Sequence, residues 1–361
     1  MGLPELNFHF QAAAEAAVSR AERGVVALIL RDAKAAGLHT VTEQADIPAE
    51  LGAENKAAIG RALVGYINRP KKVYAAVIPT ADSVIADGFE LLGGVDYDWL
   101  AGPGDMTADE AKALAAMVQV RREKRYIGKL VAPNLEADCE GVVNFVGSGI
   151  KAGDQSYETA QYCGRVAGML AGTPASASAT YAPLPEVTAI DELEEADANA
   201  AVNAGKLILV NDGRQIKLGR AVTSKTTVKA GESEVLKKIK LVADVDLIRY
   251  YAVSTIEEDY LGKCANSYDN KCVLLTALRA YLTALEDGEV LEAGSGGVEI
   301  DVAAQRAWLK EQGADVTSMD DAAVKRANTG SWVFLRITGT VLDAMEDFDV
   351  SLVAGGLSLT A

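Results

Sequence analysis

Short blocks of apolar residues recur along the chain, and segments with helical spacing separate many of them. Largely apolar runs at residues 24–30, 72–78 and 141–146 predict buried strands. Residues 54–67 carry apolar side chains four positions apart, which predicts an amphipathic helix. Strand–helix alternation of this kind is typical of α/β layers around a largely parallel sheet. We therefore expect a mixed α/β (α+β) fold.

Local signals mark where several of these elements begin and end. The sequence Thr107-Ala-Asp-Glu110 is a capping box, which predicts the start of a helix that runs to residue 120. Asn211-Asp-Gly213 has the chemistry of a hairpin turn. The stretch 173–185 is rich in Pro, Ser, Thr and Ala, and predicts an extended loop or a crossing between domains.

The second half of the chain is predicted to contain further strands and two long helices. Residues 237–242 alternate between polar and apolar, which predicts a strand. Amphipathic helices are expected at residues 245–261 and 271–286. Residues 332–342 predict a long strand. The side chains of this strand that are expected to face inward are Val333, Leu335 and Ile337.

Both ends of the chain alternate between apolar and polar residues without a neighbouring hairpin partner in the sequence. The apolar positions are Leu6, Phe8 and Phe10 near the start, and Phe348, Val350 and Leu352 near the end. A single strand leaves its N–H and C=O groups unpaired, so each end is expected to join a sheet. Pairing within the same subunit is the commoner arrangement in general. The alternative is that both ends are extended arms that pair with other subunits.

The length of 361 residues suggests two or three domains. We expect a multi-domain subunit with a strand arm at each end. The predicted ranges are an N-terminal arm at 1–22, a small α/β outer domain at 23–95, a central α/β domain at 96–240, a C-terminal inner domain at 241–345 and a C-terminal arm at 346–361.

The net charge of −16 argues against nucleic acid as a partner, because nucleic-acid binding requires a basic face. No apolar run approaches the ~20 residues of a membrane span, so no membrane insertion is expected. Like charge opposes self-association, so an assembly would have to place its basic clusters against acidic neighbours. In a monomer the same clusters would be solvated surfaces, and the sequence leaves both interpretations open. These basic residues are Arg121, Arg122, Lys237, Lys238, Lys325 and Arg326.

The sequence lacks the motifs of common enzymes. It contains two histidines, His9 and His39, and no Gly-x-Ser-x-Gly elbow. Its Gly-Lys pairs lack the other residues of a phosphate-binding loop. The four cysteines have no metal-binding spacing and are expected to be reduced and mostly packed. Acid pairs such as Asp244 and Asp246 are expected at the surface or at a helix start. We predict no catalytic, cofactor-binding or metal-binding residue.

Five segments of the chain resemble segments of one protein family. They are Ala167-Gly-Met-Leu-Ala-Gly-Thr-Pro174, Ala204-Gly-Lys-Leu-Ile-Leu-Val-Asn-Asp-Gly213, Lys217-Leu-Gly-Arg-Ala-Val-Thr-Ser224, Tyr260-Leu-Gly-Lys-Cys-Ala-Asn-Ser-Tyr268 and Asp343-Ala-Met-Glu-Asp347. In this order, across residues 160–350, they resemble the contractile phage tail sheath proteins. The start, Gly2-Leu-Pro-Glu-Leu-Asn7, is similar to the short sheath proteins of Gram-positive phages and phage-tail-like bacteriocins.

The resemblance implies a structural subunit without a cofactor. Copies would stack as rings in a helix around an inner tail tube, and contraction would drive the tube through a target cell envelope. The implied partners are other copies of the chain, the tube protein, and the baseplate and tail terminator proteins. The implied location is the tail of a virion or a phage-tail-like particle that is assembled in the cytoplasm of the bacterial host.

The resemblance also implies that the terminal arms add strands to sheets of neighbouring subunits. The basic residues named above are candidate contacts with the tube or with neighbours, and Lys325 and Arg326 are favoured for the tube-facing domain. The choice between an infectious phage and a tail-only bacteriocin stays open. The alternative function is a small-molecule enzyme on a Rossmann-like α/β scaffold, which predicts a small oligomer with a polar-lined pocket.

Overall fold

A computed structural model describes residues 24–80, 83–124, 126–229 and 233–352. The apolar positions of the predicted N-terminal arm, Leu6, Phe8 and Phe10, lie outside the described residues. None of the described helices is both long enough and apolar enough to cross a bilayer.

The first half of the chain forms strands and helices in near-regular alternation. The elements are β1 (Val25–Arg31), β2 (Gly37–Val41), α1 (Ala53–Val64), β3 (Lys72–Ile78), α2 (Ile85–Leu91), β4 (Trp99–Ala101), α3 (Ala108–Lys124), β5 (Lys129–Pro133), β6 (Val142–Val146), β7 (Ile150–Ala152), β8 (Gln155–Tyr157) and α4 (Thr159–Ala171). The chain continues with β9 (Val187–Ala189), α5 (Glu195–Asn203), β10 (Lys206–Asn211), β11 (Ile216–Leu218), α6 (Ile239–Thr255), α7 (Tyr268–Asp287), β12 (Gly297–Ile300), α8 (Val302–Glu311), α9 (Asp321–Arg326) and β13 (Leu335–Thr338).

One eight-stranded sheet forms the centre of the molecule, in the order β11-β10-β6-β5-β4-β1-β3-β2. The six inner strands are parallel, and antiparallel β2 and β11 form the two edges. Helices α1 and α4 cover one face, and α2 and α3 cover the other. The inner strands read as continuous apolar runs because both of their faces are buried. The predicted mixed α/β fold with a largely parallel sheet is confirmed.

The sheet joins two ranges that the sequence analysis separates. Strand β4 pairs with β1 on one side and with β5 on the other, so the boundary predicted between residues 95 and 96 falls inside a single sheet. The physical reason is that β1 is buried on both faces, and its backbone groups are satisfied only by neighbours on both edges.

Helices α1 and α4 approach each other closely at a glycine. A Cβ atom placed on Gly168 would lie 2.1 Å from the carbonyl oxygen of Ala62. The next glycine of the same segment, Gly172, faces the carbonyl oxygen of Asn68 in the same way, at 2.1 Å. The segment 167–174 therefore needs glycine at these positions because backbone, not side chain, packs against them.

The remainder of the chain forms a mostly helical C-terminal domain. Helices α6 and α7 pack together, with the rings of Tyr251 and Tyr281 stacked at a centroid distance of 3.5 Å. Antiparallel strands β12 and β13 form a separate two-stranded ribbon. The bridge between Leu291 and Val341 extends this pairing toward the end of the chain.

Residues 237–242, predicted as a strand, instead lead into a helix. Residues Glu234–Lys237 form one 3₁₀ turn, and α6 begins at Ile239. The first turns of α6 are buried on several sides, including Ile239, Leu241 and Val242. Because this part of α6 is buried on several sides, its apolar residues do not show the helical period. The alternation of polar and apolar residues at 237–242 therefore resembles the pattern of a strand.

Residues 332–342, predicted as one long inward-facing strand, form the short strand β13 instead. Val333 and Ile337, expected to be buried, are 39% and 37% exposed. Sequence alternation identifies the two faces of a strand, but it does not show whether anything covers them within one subunit.

Several local predictions are confirmed. Thr107 and Glu110 exchange the two hydrogen bonds of a capping box at the start of α3. The turn between β10 and β11 contains Gly213 with φ +80°, a conformation that favours glycine. All four cysteines are free thiols; Cys139 and Cys163 are buried, whereas Cys264 is exposed.

Candidate assembly interface

The last ten described residues, 343–352, form an extended segment that we call the C-terminal segment. It begins where the β12–β13 pairing ends, at the hydrogen bond from the Leu342 amide to the Val290 carbonyl, 2.9 Å long. Within the described residues no strand includes any part of it. Phe348, Val350 and Leu352 are 72%, 81% and 89% exposed. The alternating apolar positions predicted for the C-terminal arm are therefore not covered by any part of the chain that the structure describes.

Ion pairs hold the first half of the C-terminal segment on the body of the subunit. Lys238, at the start of α6, contacts the carboxylates of Asp343 at 2.5 Å and Glu346 at 3.0 Å. Arg220, which follows β11, pairs with Asp347. Lys240 donates a hydrogen bond of 2.6 Å to the Leu342 carbonyl. The segment thus stays attached up to residue 347 and is exposed beyond it.

The β12–β13 ribbon presents a second surface that the described residues leave open. Strand β13 pairs with β12 and with no other described strand, and three of its four residues are exposed. Trp332 is exposed beside it, and its ring stacks on Phe334 at 6.3 Å. A two-stranded ribbon is marginally stable alone, and an open strand edge is a template for a further strand.

A polar cluster fixes the turn that leads into β13. The side-chain amide of Asn266 donates to the carbonyl oxygens of Gly330 and Trp332 at 2.7 and 2.9 Å. It also lies 3.1 Å from the hydroxyl of Thr329, which accepts a bond from Lys271 as well. Burial lowers the pKa of Lys271 below its ordinary value. This cluster explains why the segment 260–268 contains Asn followed by Ser, since Ser267 caps α7 through the Asn270 amide.

Buried charges join the central sheet to α6. Asp246 accepts hydrogen bonds from Arg122 at the end of α3 and from Lys129 on β5, the latter 3.0 Å long. Burial would raise the pKa of Asp246, but the charges of Lys129 and Arg122 outweigh it and hold the pKa below its ordinary value. Two positions earlier in α6, burial raises the pKa of Asp244 to about 6, although Lys240 contacts it at 2.7 Å.

Both acids thus lie in the interior, whereas the sequence analysis expected them at the surface or at a helix start. The signal that could have indicated burial is their position between apolar residues of α6. They were missed because a sequence does not show which distant cations will meet a carboxylate.

The six basic candidate residues do not form one site. Arg121 donates to the carbonyl oxygens of Leu92 and Val95 and packs on the Tyr126 ring, 4.3 Å away. Arg122 is buried and serves contacts inside the subunit. Lys237 pairs with Glu234 at 2.7 Å.

The other three basic residues lie in the C-terminal domain or at its start. Lys238 holds the C-terminal segment. Lys325 and Arg326 end α9, and the Arg326 guanidinium lies 5.1 Å from the centre of the Tyr268 ring. Their predicted contacts with a tube or a neighbour stay predictions.

A cavity of about 490 Å³ lies between the amino ends of the inner strands and the helices α6 and α7. Its lining includes Trp99, Lys129, Lys240 and Asp244. The two lysines already form ion pairs with Asp246 and Asp244. His39 is not among the residues that line the cavity, and His9 lies outside the described residues. These charged groups support the fold, so the cavity gives the enzyme alternative no specific support.

A closed α/β body with an exposed apolar segment at one end and an open strand edge elsewhere defines a self-assembling structural protein. Residues 81–224 match the phage tail sheath protein central domain, and residues 232–354 match the phage tail sheath C-terminal domain. The chain is 36% identical over 354 residues to the tail sheath protein of Clostridium phage phiCD119, covering 97% of this chain and 98% of that protein. The chain belongs to the phage tail sheath family.

Solved structures agree at the level of the fold. A sheath tail protein from Listeria innocua matches with a TM-score of 0.70 at 15% identity, covering 93% of this chain and 99% of that one. The helical sheath of the anti-feeding prophage, solved in its contracted state, matches with a TM-score of 0.68 at 12% identity, covering 92% of this chain and 94% of that one. The family expected from the sequence is thereby confirmed, together with a structural role in the tail of a phage or phage-like particle.

Proposed function

We propose that this chain is the subunit of a contractile sheath, which polymerises helically around an inner tail tube and shortens to drive the tube through a target envelope. The observation that carries the proposal is the C-terminal segment, whose apolar positions Phe348, Val350 and Leu352 are exposed in the single subunit. In a protein that functions as a monomer, such a segment would be a liability, because exposed apolar residues promote aggregation. In an assembling protein, another copy covers them.

Strand addition is the assembly mode that fits the segment best. Its apolar and polar side chains alternate, as in a strand with one face covered. Strand β13 has an open edge, whose backbone N–H and C=O groups can pair with a further strand. We propose that the C-terminal segment of one copy pairs with the β12–β13 ribbon of another. Because donor and acceptor are different surfaces, the contact is heterologous. Such a contact generates a ring where the rotation between copies closes and an open helix where it does not. The N-terminal arm at 1–22 is proposed to act in the same way.

Contraction requires that subunits rearrange without separating. Main-chain pairing through the arms would persist while the globular bodies form new contacts. At about 25 cal/mol per Å² of apolar surface, an additional ~200 Å² buried per subunit would release about 5 kcal/mol. Summed over a polymer, such a gain would drive movement without a nucleotide.

The proposal includes partners beyond other copies of the chain. The range 241–345 would face the tube protein, with Lys325 and Arg326 as candidate contacts, and the baseplate and tail terminator proteins would bind the two ends of the polymer. Assembly would take place in the cytoplasm of the bacterial host. These assignments are supported by membership of the sheath family and by the partner set that the family implies.

Truncation tests the proposal directly. Protein lacking residues 348–361 should keep the thermal unfolding midpoint of the full chain but stay monomeric in size-exclusion chromatography. The full chain should form tubes in negative-stain electron microscopy. Ser351→Ala, a change on the polar face of the same segment, is the matched control and should form tubes normally. Normal polymers from the truncated protein would contradict the proposed role of the segment.

A further inference from the structure

The side chain of Glu346 is nearly buried although it belongs to an exposed segment. Its side chain is 6% exposed, whereas Met345 beside it is 86% exposed and Phe348 two positions later is 72% exposed. One carboxylate oxygen accepts hydrogen bonds from the hydroxyls of Ser178 and Thr180, at 2.9 and 2.6 Å. The other accepts a bond of 3.0 Å from Lys238. Glu346 thus has three donors at hydrogen-bonding distance.

These donors come from parts of the chain that are far apart in sequence. Ser178 and Thr180 belong to the loop between α4 and β9, and Lys238 precedes α6. The Thr180 hydroxyl also accepts a bond of 3.0 Å from the Ala221 amide, which fixes the loop against the strand region after β11. The Glu346 carboxylate therefore attaches the C-terminal segment, which follows the C-terminal domain, to the central sheet domain.

We propose that Glu346 is the anchor that fixes the direction in which residues 348–352 leave the subunit. In this role it is a positioning residue, which contributes to assembly without contacting the neighbour. The inference deepens the proposed function and rests on it, since direction matters only if these residues pair with another copy.

The geometry explains why one anchor has a large effect. Five extended residues span roughly 17 Å at about 3.3 Å per residue. A tilt of about 20° at the root would move the far end by roughly 6 Å, which exceeds the spacing of about 4.8 Å between paired strands. A segment with a loose root would therefore sample several registers and edges, whereas an anchored segment meets one.

The anchor should contribute its hydrogen bonds, but no apolar packing, to the stability of the isolated subunit. Beyond residue 347 the segment packs on nothing in the described part of the chain, and its root adds no side chain to the hydrophobic clusters of the core. A structural role and a positioning role thus predict different results for the same substitution.

The experiment combines Glu346→Ala and Glu346→Gln with a distance measurement on the soluble full-length chain. Spin labels at Val350→Cys and Ala200→Cys, in a background with Cys264→Ser and Cys272→Ser, report the distance between the segment and α5. The unsubstituted chain should give one narrow distance distribution, Glu346→Ala a broad one, and Glu346→Gln an intermediate one. The critical concentration for polymer formation should rise about tenfold for Glu346→Ala. Loss of three hydrogen bonds should lower the unfolding midpoint of this variant somewhat, but it should stay folded at the temperature of the assembly assay. Asp349→Asn, an exposed acid of the same segment, is the control and should change neither readout.

The outcomes separate the anchor from the proposed function. An unchanged narrow distribution in Glu346→Ala would overturn the anchor, whatever happens to assembly. So would a lower unfolding midpoint that fully accounts for the loss of polymers. A broadened distance distribution together with unchanged polymer formation would also overturn the anchor, since the direction of residues 348–352 would then have no effect on assembly. If the chain that lacks residues 348–361 polymerises normally, the proposed strand addition fails, and this result is independent of the label distances.

Discussion

Arg122 and Asp246 are 124 positions apart in the chain, and the guanidinium of Arg122 donates two hydrogen bonds to the two carboxylate oxygens of Asp246, at 2.8 and 3.0 Å. Both residues are buried, and Lys129 contributes a third bond. A bidentate pair fixes angle as well as distance. This pair therefore sets the orientation of α6, and with it the C-terminal domain, on the central sheet.

Removing Asp246 should strongly destabilise the subunit. Asp246→Asn removes the charge of the carboxylate to which two buried cations are hydrogen-bonded, and the expected loss is about 3–5 kcal/mol in the free energy of unfolding. Urea unfolding followed by circular dichroism measures it. The matched control is Asp109→Asn, whose side chain is 96% exposed and should change stability by less than about 0.5 kcal/mol. A loss for Asp246→Asn as small as that of the control would show that the pair does not hold the domains together.

Asp244 should give stability an unusual dependence on pH. Its pKa of about 6 in the folded chain lies above the unfolded value near 3.8, so the folded state binds more protons between these limits. The contribution of Asp244 to stability is therefore present below about pH 4, falls as pH rises toward 6 and is lost above that. The total change is roughly 3 kcal/mol. The groups that act on it are the cations Lys240 and Lys129 and the acid Asp343.

The measurement for Asp244 is the difference in unfolding free energy between the original chain and Asp244→Asn, from pH 4 to pH 8. The difference, original minus variant, should decrease up to about pH 6 and stay level from pH 7 upward. Taking the difference cancels the titration of other groups, including Asp246. A difference that stays constant, or increases with pH, would contradict the raised pKa.

The close approach of α1 and α4 predicts different changes in stability when two glycines of α4 are replaced by alanine. Gly168→Ala places a methyl group against the Ala62 carbonyl, so we expect a loss of about 3 kcal/mol in the free energy of unfolding. Gly164→Ala meets the end of the Leu28 side chain at 3.2 Å, which can move. Because alanine favours helix by about 1 kcal/mol over glycine, this control should be near neutral. Equal effects in thermal unfolding would show that the backbones do not limit the packing.

Asn266 should determine how firmly the turn before β13 is held. Asn266→Ala removes the donor shared by Thr329, Gly330 and Trp332, at an expected cost of about 2 kcal/mol. Hydrogen exchange should rise in residues 329–338 and stay constant in β1. Asn199→Ala, on the exposed surface of α5, is the control. Unchanged exchange around β13 would argue against a role for Asn266 in this surface.

Much of the fold follows from the sequence for reasons that the structure makes plain. Strands β1, β3 and β6 are largely apolar because helices cover both faces, so their apolar runs were sufficient to find them. The capping box at Thr107 and the turn at Gly213 depend only on residues near them in sequence. Family-specific segments then identified the class of protein.

Properties that depend on distant partners were not predictable. Nothing in the sequence near Asp246 indicates Arg122, and the placement of β4 between β1 and β5 depends on the completed sheet. The exposed Phe348 illustrates the reverse case. The alternation of apolar and polar residues around Phe348 predicts a strand. That strand can form only if another copy of the chain supplies its partner, and the structure of a single chain does not contain that copy.

Ionic strength should affect residues 348–352, the outer part of the C-terminal segment, less than the rest of the surface. Three of its four acids, Asp343, Glu346 and Asp347, already have a cation from Lys238 or Arg220 of the same subunit. Only Asp349 remains among the exposed apolar positions, in a chain whose net charge is −16. The part that reaches outward is therefore nearly neutral, and its encounter with another copy needs little screening by dissolved ions. Added salt should therefore weaken the repulsion between the globular bodies of two subunits. It should leave the binding of residues 348–352 to another copy almost unchanged.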